Sequence, residues 1–265
     1  MSYLLHELRL FFVALQFFSR CPTPAWVGFE PIWLQQCARY FPAVGLCIGG
    51  FAGLVLWLAL WVWPPAVAVG LSMAASVWLT GGFHEDGWAD TCDGLGGSVS
   101  RERALTIMKD SRIGSYGSLG LILMLGLKAA ALLSLVEASP ELAVLLTIWA
   151  HTASRAAPVW LMHSLAYAGD AEHAKAKPLA TQADGLTLSV AFAWVMAAGF
   201  GLLLILPTLL PSLLLAILSA TGLTLYMQAW LDRRLGGYTG DNLGATQQVV
   251  ELGVLLSFSA LLNVF

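Results

Sequence analysis

From Tyr40 to Trp63 the chain carries no charged side chain, and the same is true from Leu186 to Leu206 and from Leu213 to Leu231. Each run approaches or exceeds the ~20 helical residues needed to cross a hydrocarbon core of ~30 Å. Inside lipid the backbone has no water to bond, so runs of this kind are confined to helices that close their own hydrogen bonds. Composition agrees: 58% of residues are hydrophobic and 11% charged, against roughly 25% charged in ordinary soluble domains. The expectation is an all-α, polytopic membrane helix bundle, built as a single catalytic domain over residues 1–265.

Seven spans are expected, at about Tyr40–Trp63, Ala66–Phe83, Ile113–Val136, Leu142–Ala166, Leu186–Leu206, Leu213–Leu231 and Val249–Phe265. The first residues, to Phe18, hold Glu7 and Arg9 within an apolar run, which suits an interfacial amphipathic helix better than a span. They lack a basic n-region and a small-residue cleavage site, so a signal peptide is not expected. Cys21-Pro22-Thr23-Pro24 then breaks the helix. The cysteines at 21, 37, 47 and 92 form no Cys-x-x-Cys pair and lie at no zinc spacing, so they read as packing residues.

If seven spans alternate, one side collects Arg9, Arg20, Arg39, Arg101, Arg103, Lys109, Arg112, Lys175, Lys177, Arg233 and Arg234, eleven of the thirteen Lys and Arg. The positive-inside rule makes that side cytoplasmic. Lys128 and Arg155 remain inside spans, where each needs a partner, a water-filled cavity or, for Lys128, a route to snorkel. The small formal charge of −3 argues against a nucleic-acid surface.

Chemistry concentrates after the second span, in the stretch from Gly81 to Gly97, with Glu85, Asp86, Asp90 and Asp93 among six glycines. On a helix continuing that span, Asp86, Asp90 and Asp93 fall at i, i+4 and i+7 and share one face. Carboxylates so close repel unless a cation sits among them or some are protonated. Oxygen ligands without a Cys/His cluster favour Mg²⁺ or Mn²⁺. The glycines permit close backbone approach to a phosphate, and Arg101, Arg103, Lys109 and Arg112 supply the charge a diphosphate needs. The pattern points to metal-assisted transfer at a phosphate. Glu85 lies off the Asp86 face and is expected to be peripheral, as is Cys92. His84 is open to three readings: a phosphate contact, a proton carrier, or a cap on the site. A second polar segment, Asp232 to Thr246, is expected on the same face, where it can meet the first.

The run Gly81-Gly82-Phe83-His84-x-Asp86-Gly87-x-Ala89-Asp90-Thr91-x-Asp93-Gly94 resembles the cobalamin synthase family of adenosylcobinamide-GDP ribazoletransferases. So do Arg103, Ile107 to Gly114, Gly237-x-Thr239-Gly240-Asp241-x-Leu243-Gly244-Ala245 and Glu251, with Arg20-x-Pro22-x-Pro24 and Phe41-Pro42-x-x-Gly45 nearer the start. Gly169-Asp170-Ala171-Glu172 departs from the family's pattern. The resemblance implies a Mg²⁺-dependent enzyme of the bacterial inner membrane with its site facing the cytoplasm. It would join adenosylcobinamide-GDP to α-ribazole or its 5′-phosphate and release GMP. On that basis the expected metal ligands are Asp86, Asp90, Asp93 and Asp241. Lys109, Arg112, Arg103, Gly94 and Gly240 would hold substrate, Asp110 would orient the basic groups or meet the alcohol, and the base is His84 or Asp93. Besides substrates and bilayer, a homo-oligomer is left open. A CDP-alcohol phosphatidyltransferase matches only at Asp90-x-x-Asp93-Gly94, without the Ala-Arg and downstream aspartates of its pattern. A transporter would be expected to show an inverted repeat, which this sequence does not.

Overall fold

A computed structural model describes residues 3–97, 99–169 and 182–261. The segment around Asp170 to Glu172 and the residues Lys175 and Lys177 lie outside it. The chain runs through α1 (Tyr3–Phe18), α2 (Trp33–Gln36), a 3₁₀ turn into α3 (Phe41–Ala59), α4 (Pro65–Thr80), α5 (Phe83–Leu95) and α6 (Arg101–Met108). It continues through α7 (Ser115–Ala138), α8 (Pro140–Ser154), α9 (Ala156–Ser164), α10 (Gly185–Ile205), α11 (Leu210–Leu235) and α12 (Gly240–Leu261). Among the described residues there is no strand; a lone parallel bridge joins Tyr167 to Tyr238.

Four stretches are long and apolar enough to cross a membrane: Trp33–Ala59, Ser115–Ala138, Gly185–Ile205 and Pro207–Leu235. Counting the bent pair α4 and α5 as one span makes five. By length and apolarity the described residues thus give four to five spans, and the expected count of about seven is not confirmed. The apolar run from Leu142 to Ala166 is broken at Arg155 into α8 and α9. The last run is the C-terminal part of α12, a helix that buries Gln247, Gln248 and Glu251. Both runs pack inside the bundle, α8 with most of its length buried. On the outside, Ile122 and Leu123 of α7, Phe200 and Leu204 of α10 and Leu218 of α11 stand exposed. Such large apolar side chains in quantity suit lipid, and the protein is a multi-pass membrane protein.

Small residues let the inner helices approach. On α3, Gly45, Gly49 and Gly53 form a stripe against α8. A Cβ at Gly49 would meet Ile148 Cα at 2.8 Å, and one at Gly45 would run into the His151 carbonyl. Membrane helices lack a hydrophobic drive towards one another, so close backbone packing of this kind does much of the joining. The N-terminal helix packs through Leu10, Val13, Ala14 and Phe18, and its Glu7 pairs with Arg39 at 3.2 Å and accepts from the Tyr40 hydroxyl at 2.8 Å.

Candidate active site

The site begins with a turn. Gly81 and Gly82 both take left-handed conformations, φ 70° and 72°, which side chains with a Cβ rarely adopt. Gly82 N–H donates to the Val77 carbonyl at 2.9 Å and closes α4. The chain then restarts as α5 at 88° to α4. The acidic residues are therefore carried by a separate helix, lying across the end of its predecessor.

α5 is held by α12 on one side and α7 on the other. A side chain at Gly87 would strike the Asp241 carbonyl oxygen at 2.6 Å, and one at Gly244 would reach His84 Cα at 3.2 Å. Between these crossings the Asn242 amide donates to Thr91 Oγ1 at 3.0 Å, both residues fully buried. Asn242 Oδ1 also accepts from Thr239 N–H at 2.9 Å, while Asn242 N–H points back at Thr239 Oγ1. This reciprocal pattern is a capping box, with Asn in place of the usual acid. The two polar segments expected to meet are thus brought together, with Thr239 and Asn242 serving the junction.

A pocket of ≈560 Å³ opens beside this junction, lined by Thr80, Gly81, Glu85, Asp86, Asp90 and Ser111 among others. Asp86 is exposed and Asp90 half-buried. Asp93 lies one turn on, and its carboxylate is engaged elsewhere. It accepts Gly114 N–H at 2.7 Å and Gly117 N–H at 2.8 Å, tying α5 to the start of α7. Gly94 is buried against Ala104 and Met108 of α6, so its place is in packing. His84 is 3% exposed and stacks on Phe18 with ring centroids 5.4 Å apart. Neither residue lines the pocket.

The loop after α6 forms the opposite wall through Ser111 and Ile113. Here Arg112 is clamped by Asp110, Nη2 to Oδ2 at 2.6 Å and Nε to Oδ1 at 3.0 Å. The hydrogen bond first and the charge second raise the guanidinium's pKa further. Arg112 and Lys109 are exposed, as is Arg103 on the first turn of α6. Asp241 and Gly240 stand on the first turn of α12, Gly240 with open space around it.

Among the described residues no three His, Cys, Asp or Glu side chains converge as a ready cage for a metal. Asp86 and Asp90, facing one open pocket, nevertheless suit Mg²⁺. That ion is usually held by one or two carboxylates and completes its shell with waters and substrate phosphates.

Similarity to known proteins decides the family. The family model for cobalamin-5-phosphate synthase matches residues 10–259. The chain belongs to the cobalamin-5-phosphate synthase family. An adenosylcobinamide-GDP ribazoletransferase of Leptothrix cholodnii is 58% identical over 263 residues, 98% of each chain. Proteins of the same name from Shewanella piezotolerans and Polaromonas naphthalenivorans are 44% and 41% identical, covering 93% of both chains and 97% of this chain with 99% of the relative. No solved structure matches the chain.

In this family member Glu85 departs from its sequence-based expectation. It is not peripheral: it lines the acidic pocket together with Asp86 and Asp90. Its helical position relative to Asp86 suggests the reverse. The 88° turn lays α5 across the bundle, so that the sides flanking the Asp86 face also meet cavities. Arg155 and Lys128, expected to need partners, find them in a buried cluster centred on Glu251.

Proposed function

We propose that this chain transfers the adenosylcobinamide-phosphate group of adenosylcobinamide-GDP to α-ribazole or its 5′-phosphate, releasing GMP late in cobalamin biosynthesis. The observation that carries the reading is the end-to-end 58% identity to a ribazoletransferase. In the reaction the ribose 3′-hydroxyl oxygen bonds to the phosphorus next to the cobinamide. The bond from that phosphorus to the bridging oxygen breaks, GMP departs with the oxygen, and the hydroxyl proton is released. The pocket is wide enough for a diphosphate between α5 and the loop of Lys109 to Gly114.

We assign Mg²⁺ to Asp86 and Asp90, joined by Asp241 from the first turn of α12, whose backbone packs on Gly87. When bound, the ion supplies neutralisation of the phosphoryl oxygens and leaving group. Lys109 and Arg112 meet the diphosphate, and Asp110 holds the Arg112 fork in one orientation. Arg103 adds positive charge, and Gly240 leaves the start of α12 open to an anion. Asp93 keeps the α7 end of the pocket in place.

We further place the protein in the bacterial inner membrane with this pocket facing the cytoplasm. Arg101 donates to the Leu235 carbonyl at 2.7 Å, and Arg234 to the carbonyls of Leu95 and Gly97 at 3.0 and 2.8 Å. The basic end of α11 and the loop after α5 therefore share one end of the bundle. Turns such as Pro64-Pro65 and Pro207 to Pro211 carry no Lys or Arg, as the positive-inside rule expects of the other side.

Purified protein incubated with adenosylcobinamide-GDP, α-ribazole and Mg²⁺ should release GMP, followed chromatographically; a parallel incubation with α-ribazole 5′-phosphate identifies the preferred acceptor. Absence of GMP with both acceptors, or release of CMP from a CDP-alcohol instead, would overturn the assignment.

A further inference from the structure

Beneath the acidic pocket lies a buried ionic cluster that the transfer chemistry leaves unused. Lys128 of α7 and Glu251 of α12 are 5% and 3% exposed and pair at 2.6 Å. The other Glu251 oxygen lies 3.2 Å from His151 Nδ1 and accepts from the Gln247 amide. Arg155 Nη1 donates to the His151 carbonyl at 2.8 Å. Charges in an apolar bundle are costly unless paired, and they tend to mark function.

The cluster does not end at the pair. Lys128 Nζ donates to Gln248 Oε1 at 2.9 Å, and Gln248 Nε2 donates to Glu85 Oε1 at 3.1 Å. Glu85 therefore faces two ways. Upwards it lines the pocket of Asp86 and Asp90. Downwards it lines a cavity of ≈20 Å³ with Ser72, Ser76, Lys128, His151 and Glu251. Its Oε2 is buried and has no hydrogen-bond partner. A cavity of that size and polarity has room for one water, the ordinary way such an oxygen is satisfied. With Lys128 and Arg155 both buried and Glu251 shared between Lys128 and His151, Glu85 also helps balance the cluster's charge. Its placement ties that cluster to the pocket.

We propose that Glu85 is a positioning residue of the transfer site, anchored through Gln248 to the buried Lys128–Glu251 pair. This role rests on the transfer reading of the acidic pocket. Holding Glu85 in place holds the first turn of α5, where Asp86 is the next residue. Freed from the anchor, that turn can rotate about the Gly81-Gly82 hinge and carry Asp86 out of register.

Three variants of the full-length protein test the anchor: Glu85→Ala, Glu85→Gln and Gln248→Leu. Glu85→Ala and Gln248→Leu should lower kcat by about ten- to a hundredfold, the range a misplacement near 1 Å produces, with KM for adenosylcobinamide-GDP little changed. Glu85→Gln keeps an oxygen that can accept from Gln248 and should recover most of kcat. Independently of turnover, hydrogen exchange across Phe83 to Gly87 should quicken in Glu85→Ala and Gln248→Leu and stay slow in Glu85→Gln. Unchanged exchange and kcat in Glu85→Ala overturn the proposal. So does a Gln variant as impaired as the Ala variant, which would make the charge itself the need, and so does a kcat loss that only follows a lowered Tm. If the unmodified protein releases no GMP, the transfer reading fails separately. The exchange measurement then still decides the anchor, quickened exchange supporting it and unchanged exchange overturning it.

Discussion

Asp90 and Asp93 stand three residues apart on one helix and do different work because of what lies opposite each. Asp90 borders open space with Asp86; Asp93 accepts the amides of Gly114 and Gly117, one on each oxygen. Replacing Asp90 by Asn should remove most GMP release, on the order of a hundredfold or more if a charged group of the transition state loses its stabiliser, while Tm in detergent stays near that of the parent. Asp93→Ala should behave in the opposite manner. It strands two amides of a helix start, for which a loss of roughly 1–3 kcal/mol is expected. Thermal unfolding reads that loss directly, and GMP release assayed well below the lowered Tm should survive in part. Equal Tm for the two variants would argue against the division of roles.

At the level of elements, two glycine contacts decide where the site can be. The Gly81-Gly82 turn lays α5 across α4, and the stripe on α3 seats α8, which brings His151 to Glu251. Gly45→Leu should push these helices apart, because the Cβ would run into the backbone of His151 and Thr152. Overpacking of a tight interface costs about 1–3 kcal/mol, occasionally more, visible as a lowered Tm and reduced yield of folded protein. Activity should fall with it, since α8 carries part of the buried cluster. A Gly50→Leu control, at a position with nothing nearby, should leave both unchanged.

Across the whole molecule, the ionic cluster joins α7, α8 and α12 in the interior and reaches α5 through one amide. Lys128→Met removes the ammonium that Glu251 pairs with at 2.6 Å, and breaking a buried pair in this way costs about 3–5 kcal/mol. Adding Glu251→Met to that variant should return part of the lost stability, since apolar replacement of a complete buried pair is often neutral. Turnover should stay low in the double variant, because Gln248 no longer has its anchor. Paired measurements of Tm and GMP release check both halves; a double variant that recovers stability and turnover together would show that the pair serves stability alone.

The sequence by itself determined the class of fold, a bundle of membrane helices, because uninterrupted apolar runs leave the backbone no other way to satisfy its hydrogen bonds. It also picked out both polar segments and the need of Lys128 and Arg155 for partners, since those follow from residue chemistry and local spacing. The number of spans is not fixed by hydropathy, because a helix buried by protein and one bathed in lipid are equally apolar. Nor were the surroundings of Glu85, Asp93 and Gly94 legible. Helical spacing says which residues share a face, but only packing says what that face meets. The 88° turn at Gly81-Gly82 and the close approach of α12 and α7 placed Glu85 between pocket and core, gave Asp93 to two amides, and left Asp86 and Asp90 facing the pocket.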